Sequence, residues 1–235
     1  MLKKPSTFKG YAAWALGLTA VCIFLLQVWF ALWIVWWKFM PVQSTAFMRA
    51  DLAWMQAKNP NAQLKHRWVD YERISDALKR GVIASEDANF GEHEGVDWKA
   101  IQHARDKNMK RGKVVSGGST ITMQLAKNLF LSGSRSYARK AQELAITFML
   151  EAILDKERIL EMYLNSAEFG LGVFGAEAGA RHHFGISAAQ LSAQQAARLA
   201  AMLPRPKFYD RNRGSEYLQT RTQWVLRWMP TVELP

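Results

Sequence analysis

Thiols are nearly missing from this chain of 235 residues: its one cysteine, Cys22, lies in an apolar stretch near the N-terminus. A disulfide framework and a Cys-based metal centre are therefore excluded, and a thiol-free domain suits an oxidising compartment. Charge is missing from residues 10–37, which as a helix would extend about 42 Å, against about 30 Å of bilayer hydrocarbon. A cleaved leader would have a shorter apolar core ending in a small-x-small site. Phe30-Ala31-Leu32-Trp33 offers none, and Trp29, Trp33, Trp36 and Trp37 gather towards Lys38 as an interfacial anchor does. Lys3, Lys4 and Lys9 outnumber Lys38 and Arg49 across the span, which favours an inside N-terminus. Repeats, low-complexity tracts and clear alternating strand patterns are also missing, so the domain beyond the span is expected to be mainly α.

What is present is basic. Once the three lysines of the tail are set aside, 28 Lys and Arg face 20 Asp and Glu, a net charge of +8. Such an excess calls for an anionic partner: phospholipid headgroups, a pyrophosphate or nucleic acid. Length and an apolar share of 49% allow one membrane element and one globular domain with a sizeable core. The expected division is a cytoplasmic N-terminus (1–10), a signal-anchor helix (11–37), a stalk and entry helix (38–70) with a turn at Asn59-Pro60-Asn61, and a catalytic domain (71–235). One long helix is predicted over 137–164, where Arg139 and Glu143 share a face. Another is predicted from the capping-box spacing at Ser192 to the stop at Pro204. Gly170-Leu171-Gly172-Val173-Phe174-Gly175 has the dinucleotide-fingerprint spacing but follows a helical pattern rather than a strand, with no acid about twenty residues on. It is read as a loop in close contact with a neighbouring segment or substrate.

Polar groups are concentrated in five segments. The first holds Glu86, Asp87, Phe90 and His93; the second Gly118, Ser119, Thr120, Gln124, Lys127 and Asn128, followed by Arg135; the third Arg139, Lys140 and Glu143, continuing to Asn165. The fourth is the glycine loop through Gly185, and the fifth runs from Leu191 to Pro204. In this order, over residues 83–204, the chain resembles the monofunctional biosynthetic peptidoglycan transglycosylases, which share their domain with class A penicillin-binding proteins. The resemblance implies a lysozyme-like α-helical lobe with a small membrane-contacting lobe within residues 98–115. It implies lipid II and the growing lipid-linked glycan as substrates, with the bilayer and cell-wall synthesis or division proteins as partners and no nucleic acid. The catalytic domain would be periplasmic, held to the inner membrane by a single pass.

The implied reaction passes the growing chain to the 4-hydroxyl of an N-acetylglucosamine and expels undecaprenyl pyrophosphate with inversion. A hydroxyl nucleophile needs a base, the role implied for Glu86; the bland reading of Glu86-Asp87 is an acidic pair favoured by a helix dipole. The leaving pyrophosphate needs positive charge, for which Lys127, Arg135, Arg139 and Lys140 are candidates. Glu143 is implied to position those cations or a divalent metal, Mg²⁺ or Mn²⁺, bridging the pyrophosphate. Asp87, Phe90, His93, Gly118, Ser119, Thr120, Gln124 and Asn128 complete the implied binding set, while His182 and His183 are expected to be structural. Met123 and His103 depart from the common family pattern, the latter standing where a cation is usual. The rivals are a strand-cleaving glycosidase, which would not need the cations, and a tethered basic binding module, which would not need the ordered carboxylates.

Overall fold

The computed structural model describes residues 7–113, 117–134 and 136–235. It is mainly helical. α1 (Phe8–Phe39) is the apolar span, begun by the Thr7 side chain accepting from the Gly10 amide. Residues 8–29 are largely exposed, with Gln27 half-buried against α6, whereas Phe30, Ile34 and Trp37, spaced for one helix face, are buried against the domain. α2 (Ala46–Gln56) comes next, capped by Thr45, and the Asn59 side chain forms the expected turn by accepting from the Asn61 amide.

α3 (Asp76–Glu86), α4 (Trp98–Arg111), α5 (Ile121–Phe130), α6 (Tyr137–Ile153) and α7 (Lys156–Ser166) are each opened by a Ser, Thr or Asp side chain bonded to a backbone amide of the first turn. The single helix expected over 137–164 is two helices. Leu154 is extended, and Asp155 accepts from the Arg158 amide at 2.7 Å, so a cap inside an otherwise continuous apolar stripe breaks the run.

A small sheet interrupts the helices. β1 (Lys65–His66) pairs in parallel with β3 (Val173–Phe174), which pairs antiparallel with β2 (Glu168–Gly170) through a bulge. The glycine loop is therefore the bend of a hairpin. Gly175 has φ +88° and would bring any Cβ to 2.8 Å from the Asn165 carbonyl oxygen, which explains its glycine without a nucleotide. β1 falls in the stretch read as a stalk yet pairs beyond residue 71, so that stretch is joined to the domain.

α8 (Ala176–Phe184) precedes α9 (Ala193–Met202), which carries the expected capping box at Ser192 and Gln195. α10 (Pro206–Arg211) and α11 (Glu216–Trp228) close the chain, with α9 packed between α3 and α11. The core runs from Leu78, Val82 and Ile83 through Leu125, Leu150, Leu160 and Phe169 to Leu199 and Val225. α4 stands apart from it: only Ala104 is buried, and Trp98 and Met109 are exposed beside a run of cations. α4 supplies the described portion of 98–115, the stretch where the resemblance implies a membrane-contacting lobe.

Candidate active site

Glu86 is the last residue of α3, and Asp87 ends the helix. A carboxylate there faces the negative end of the helix dipole, so the bland reading of an acid favoured by that dipole is overturned. Glu86 lies in a cleft of about 210 Å³ lined by Ser85, Asp87, Asn89, Asp97, Gly118 and Ser119, among others. Burial pushes its carboxyl above the ordinary value, and the neighbouring Asp87 adds to this; bonds from Gln124 and Ser85 and the charge of Arg221 oppose it. Gln124 Nε2 donates to Glu86 Oε2 at 3.0 Å, and Ser85 Oγ donates to Oε1 at 3.2 Å. Behind the amide, the buried Tyr163 hydroxyl donates to Gln124 Oε1 at 3.1 Å. Since Tyr163 engages the oxygen of that amide, its NH₂ is turned to Glu86. The result is a carboxylate at once desolvated and held in orientation, as a general base requires.

Asp87 faces inward. Its Oδ2 accepts from the Ile121 amide at the start of α5 at 2.9 Å, and its Oδ1 lies 2.9 Å from His93 Nε2. The Gly95 amide donates to His93 Nδ1, the Thr120 hydroxyl donates to the Gly95 carbonyl at 2.6 Å, and Phe90 is buried under the Lys156 ammonium. Asp87, Phe90, His93 and Thr120 thus brace the wall of the cleft. Ser119 is exposed at its mouth, and a Cβ on Gly118 would meet the Ile101 backbone at 2.8 Å, so this glycine lets α4 lie close.

Gln124, Lys127 and Asn128 share a face of α5, at the spacing i, i+3, i+4. Lys127 is half-buried, and among the described residues no carboxylate lies within ion-pair distance of it. Burial lowers its pKa, as do Arg139 and Lys140, while Glu143 and Glu86 raise it. On α6, the buried Glu143 binds Arg139 through one oxygen and Lys140 through the other. Arg139 Nε is buried with no acceptor among the described residues. Two cations therefore bind one carboxylate with Lys127 close by, and among the described residues one donor has no acceptor: a group that could receive an anion. Arg135 lies outside the described residues.

Both Glu143 oxygens are engaged by Arg139 and Lys140, so among the described residues this carboxylate offers no free oxygen to the divalent ion that the resemblance implies. Among the described residues, the grouping with metal-ligand spacing is His182, His183 and Asp210, on α8 and α10. Arg213 donates to the same Asp210 oxygen that His182 contacts, and Lys65 lies 3.4 Å from His182, so that grouping is a structural ion-pair network. Met123, where the chain departs from the common pattern, is buried and does not line the cleft. His103 is exposed on α4, beside Lys99 and Lys107 around an adjoining hollow. A hollow of about 440 Å³ between α1 and α5, lined by tryptophans, Phe130 and Arg49, contains no carboxylate and is not the reaction cleft.

Three participants escape sequence reasoning. Tyr163 falls within the third polar segment but reads as one more apolar position of a helix stripe, and Ser85 lies outside all five segments. Arg221, which donates to the Ser85 carbonyl at 3.0 Å, lies beyond all five polar segments and carries no local signal.

The transglycosylase family profile matches residues 54–230. A biosynthetic peptidoglycan transglycosylase of Janthinobacterium sp. (strain Marseille) is 60% identical over 222 residues, covering 94% of this chain and 96% of its own. One of Herminiimonas arsenicoxydans has the same identity and coverage, and one of Bordetella pertussis (strain Tohama I / ATCC BAA-589 / NCTC 13251) is 54% identical over 226 residues, covering 94% and 93%. With a profile spanning most of the chain, and relatives alike over nearly all of it, the protein built around this cleft glutamate and the cations near it belongs to the transglycosylase family.

Proposed function

We propose that the chain is a peptidoglycan glycan polymerase, which transfers the growing lipid-linked chain to the N-acetylglucosamine 4-hydroxyl of lipid II and releases undecaprenyl pyrophosphate with inversion. Glu86 accepts the hydroxyl proton. Lys127, Arg139 and Lys140 receive the negative charge that develops on the leaving pyrophosphate, with Glu143 holding the latter two in place. α1 crosses the cytoplasmic membrane with its N-terminus inside and presents the domain to the periplasmic leaflet. The reading rests chiefly on one observation: α5 carries Gln124, partner of the desolvated Glu86, on the same face as Lys127, next to an anion-receptive cluster. A proton acceptor for a sugar hydroxyl and a cradle for a departing pyrophosphate are thereby set along one helix. Any divalent ion acting in the reaction would arrive on the substrate, as the protein's carboxylate at the cluster is already engaged by cations.

The test is incubation of the detergent-solubilised protein with purified lipid II. Polymer should form, and Glu86→Gln, which keeps the side-chain shape but cannot take the proton, should lower the rate by about 10²–10⁴, or about 3–5 kcal/mol. Cleavage of preformed glycan strands without polymer would overturn the reading, as would a Glu86→Gln variant of undiminished rate.

A further inference from the structure

α11 turns two stripes to different surroundings. Leu218, Thr222 and Val225 are buried where the helix packs on α3 and α9. One position before each of them, Tyr217, Arg221 and Trp224 line the flank of the helix, and Trp228 continues the series at the spacing i, i+4, i+7, i+11. The three aromatic rings on that flank are exposed, Tyr217 by 65%, Trp224 by 41% and Trp228 by 47%. Single exposed aromatics are ordinary on a protein surface; a series along one flank for about 16 Å is not. The rings are also steadied. The Tyr217 ring lies within 7° of parallel to that of the buried Tyr209, the Arg221 guanidinium sits 4.2 Å over the Trp224 ring, and Trp228 leans on Trp224 with ring centres 6.4 Å apart.

This stripe is continuous with the cleft. Arg221, which holds the Trp224 ring, donates to the carbonyl of Ser85, and Ser85 lines the cleft beside Glu86. α11 runs opposite to α3, because Arg221 meets Ser85 while Val225 lies against Gly81. Tyr217 therefore lies towards the cleft end of α3, and Trp224 and Trp228 lead away from it. A flat aromatic face carries negative charge density, which suits the C–H face of a pyranose ring, apolar and slightly positive. A glycan offers such faces in series. The end of α1 docks on α6 and α7, whereas α11 packs on α3 and α9, which favours a glycan over membrane lipid at these rings.

We infer that Tyr217, Trp224 and Trp228 form a platform on which the sugar rings of a glycan strand stack as it passes the Glu86 cleft. The inference rests on the proposed polymerase reading for the source of that strand, and it adds a binding surface outside the cleft. Arg221 links the two, one side of its guanidinium on the cleft wall and the other on the first indole of the platform.

The test titrates the detergent-solubilised full chain with a lipid-free hexasaccharide of alternating N-acetylglucosamine and N-acetylmuramic acid. Trp224→Ala and Trp228→Ala should each weaken its binding about tenfold, and Trp224→Phe, which keeps a ring, should stay within about threefold of wild type. With lipid II as substrate, Trp228→Ala should yield shorter strands than wild type. A second measurement needs no variant: the hexasaccharide should protect Trp224 and Trp228 of the wild-type chain from hydroxyl-radical oxidation. Unchanged affinity in both alanine variants, absence of protection, or protection by vesicles of anionic phospholipid but not by the sugar would overturn the inference. Wild-type protein that bound the hexasaccharide at these rings yet formed no polymer from lipid II would sink the proposed reaction instead and leave the platform standing.

Discussion

The link from Tyr163 through Gln124 to Glu86 makes an exposed prediction, because it ties a buried hydroxyl to the pH dependence of catalysis. A base works ionised, so activity falls as pH drops through the raised pKa of Glu86. Gln124 stabilises the ionised form with a hydrogen bond of 3.0 Å. A bond to a charged acceptor is worth about 1.5–3 kcal/mol, so Gln124→Leu should lower kcat/KM on the acid limb about ten- to a hundredfold, with little effect at alkaline pH where the carboxylate is ionised regardless. The acid limb moves to higher pH. Tyr163→Phe keeps the ring in its pocket and removes only the hydroxyl that turns the amide. Its effect should have the same sign and the smaller size of a neutral bond, about 0.5–1.5 kcal/mol. Gln124→Leu should also lose about 1–3 kcal/mol of stability, since the buried Tyr163 hydroxyl is left without its acceptor, whereas Tyr163→Phe should lose less. The assay is initial polymerisation rate against pH at subsaturating lipid II, with thermal unfolding measured on the same preparations. An acid limb unmoved in both variants, with stability reduced as expected, would refute the coupling and leave the contacts as mere packing.

Lys127→Ala should weaken handling of the pyrophosphate-bearing donor by about 1–3 kcal/mol, read as a loss of roughly ten- to a hundredfold in kcat/KM, without loss of folding. Gly118→Ala should force α4 away from the cleft, because the added Cβ meets Ile101 backbone; activity and melting temperature should fall together, by about 1–3 kcal/mol of stability. Glu168, beside Lys207 and Asp51 where β2 meets α2 and α10, is raised to about 7 by burial, with Lys207 opposing and Asp51 adding. The folded state then holds a proton that the unfolded state releases between pH 4.5 and 7, so stability should fall by about 3 kcal/mol as pH rises through that window. Glu168→Gln should flatten that fall, measured by thermal unfolding from about pH 4 to 8.

Features whose cause is local were legible in the sequence. The uncharged span, the capping box at Ser192 and the turn at Asn59 each need only a few neighbours, and each is present. The break between α6 and α7 was hidden because Asp155 reads as one polar residue on a helix surface until its cap bond is seen. The strands are two or three residues long, too short for alternation to register, and exist because distant segments meet. At the site, Glu86 and the cations were visible as residue types in a familiar order. The direction each side chain takes was not: Asp87 turns to the start of α5, and Tyr163 leaves its apolar stripe to face Gln124, because α3, α5 and α7 converge there. Arg221 reaches the cleft only through the packing of α11 on α3.

The sharing of Phe30, Ile34 and Trp37 between α1 and the core bears on how the molecule is made. These residues are synthesised early, yet their partner Phe130 comes about a hundred residues after Phe30. Through most of elongation α1 therefore carries an unmatched apolar face, and its docking is a late, long-range event rather than a local one. A fragment begun after residue 39 would lose the Phe30 and Trp37 contacts of Phe130 and the Trp37 carbonyl bound by Arg158, so the end of α1 belongs with the fold it packs on.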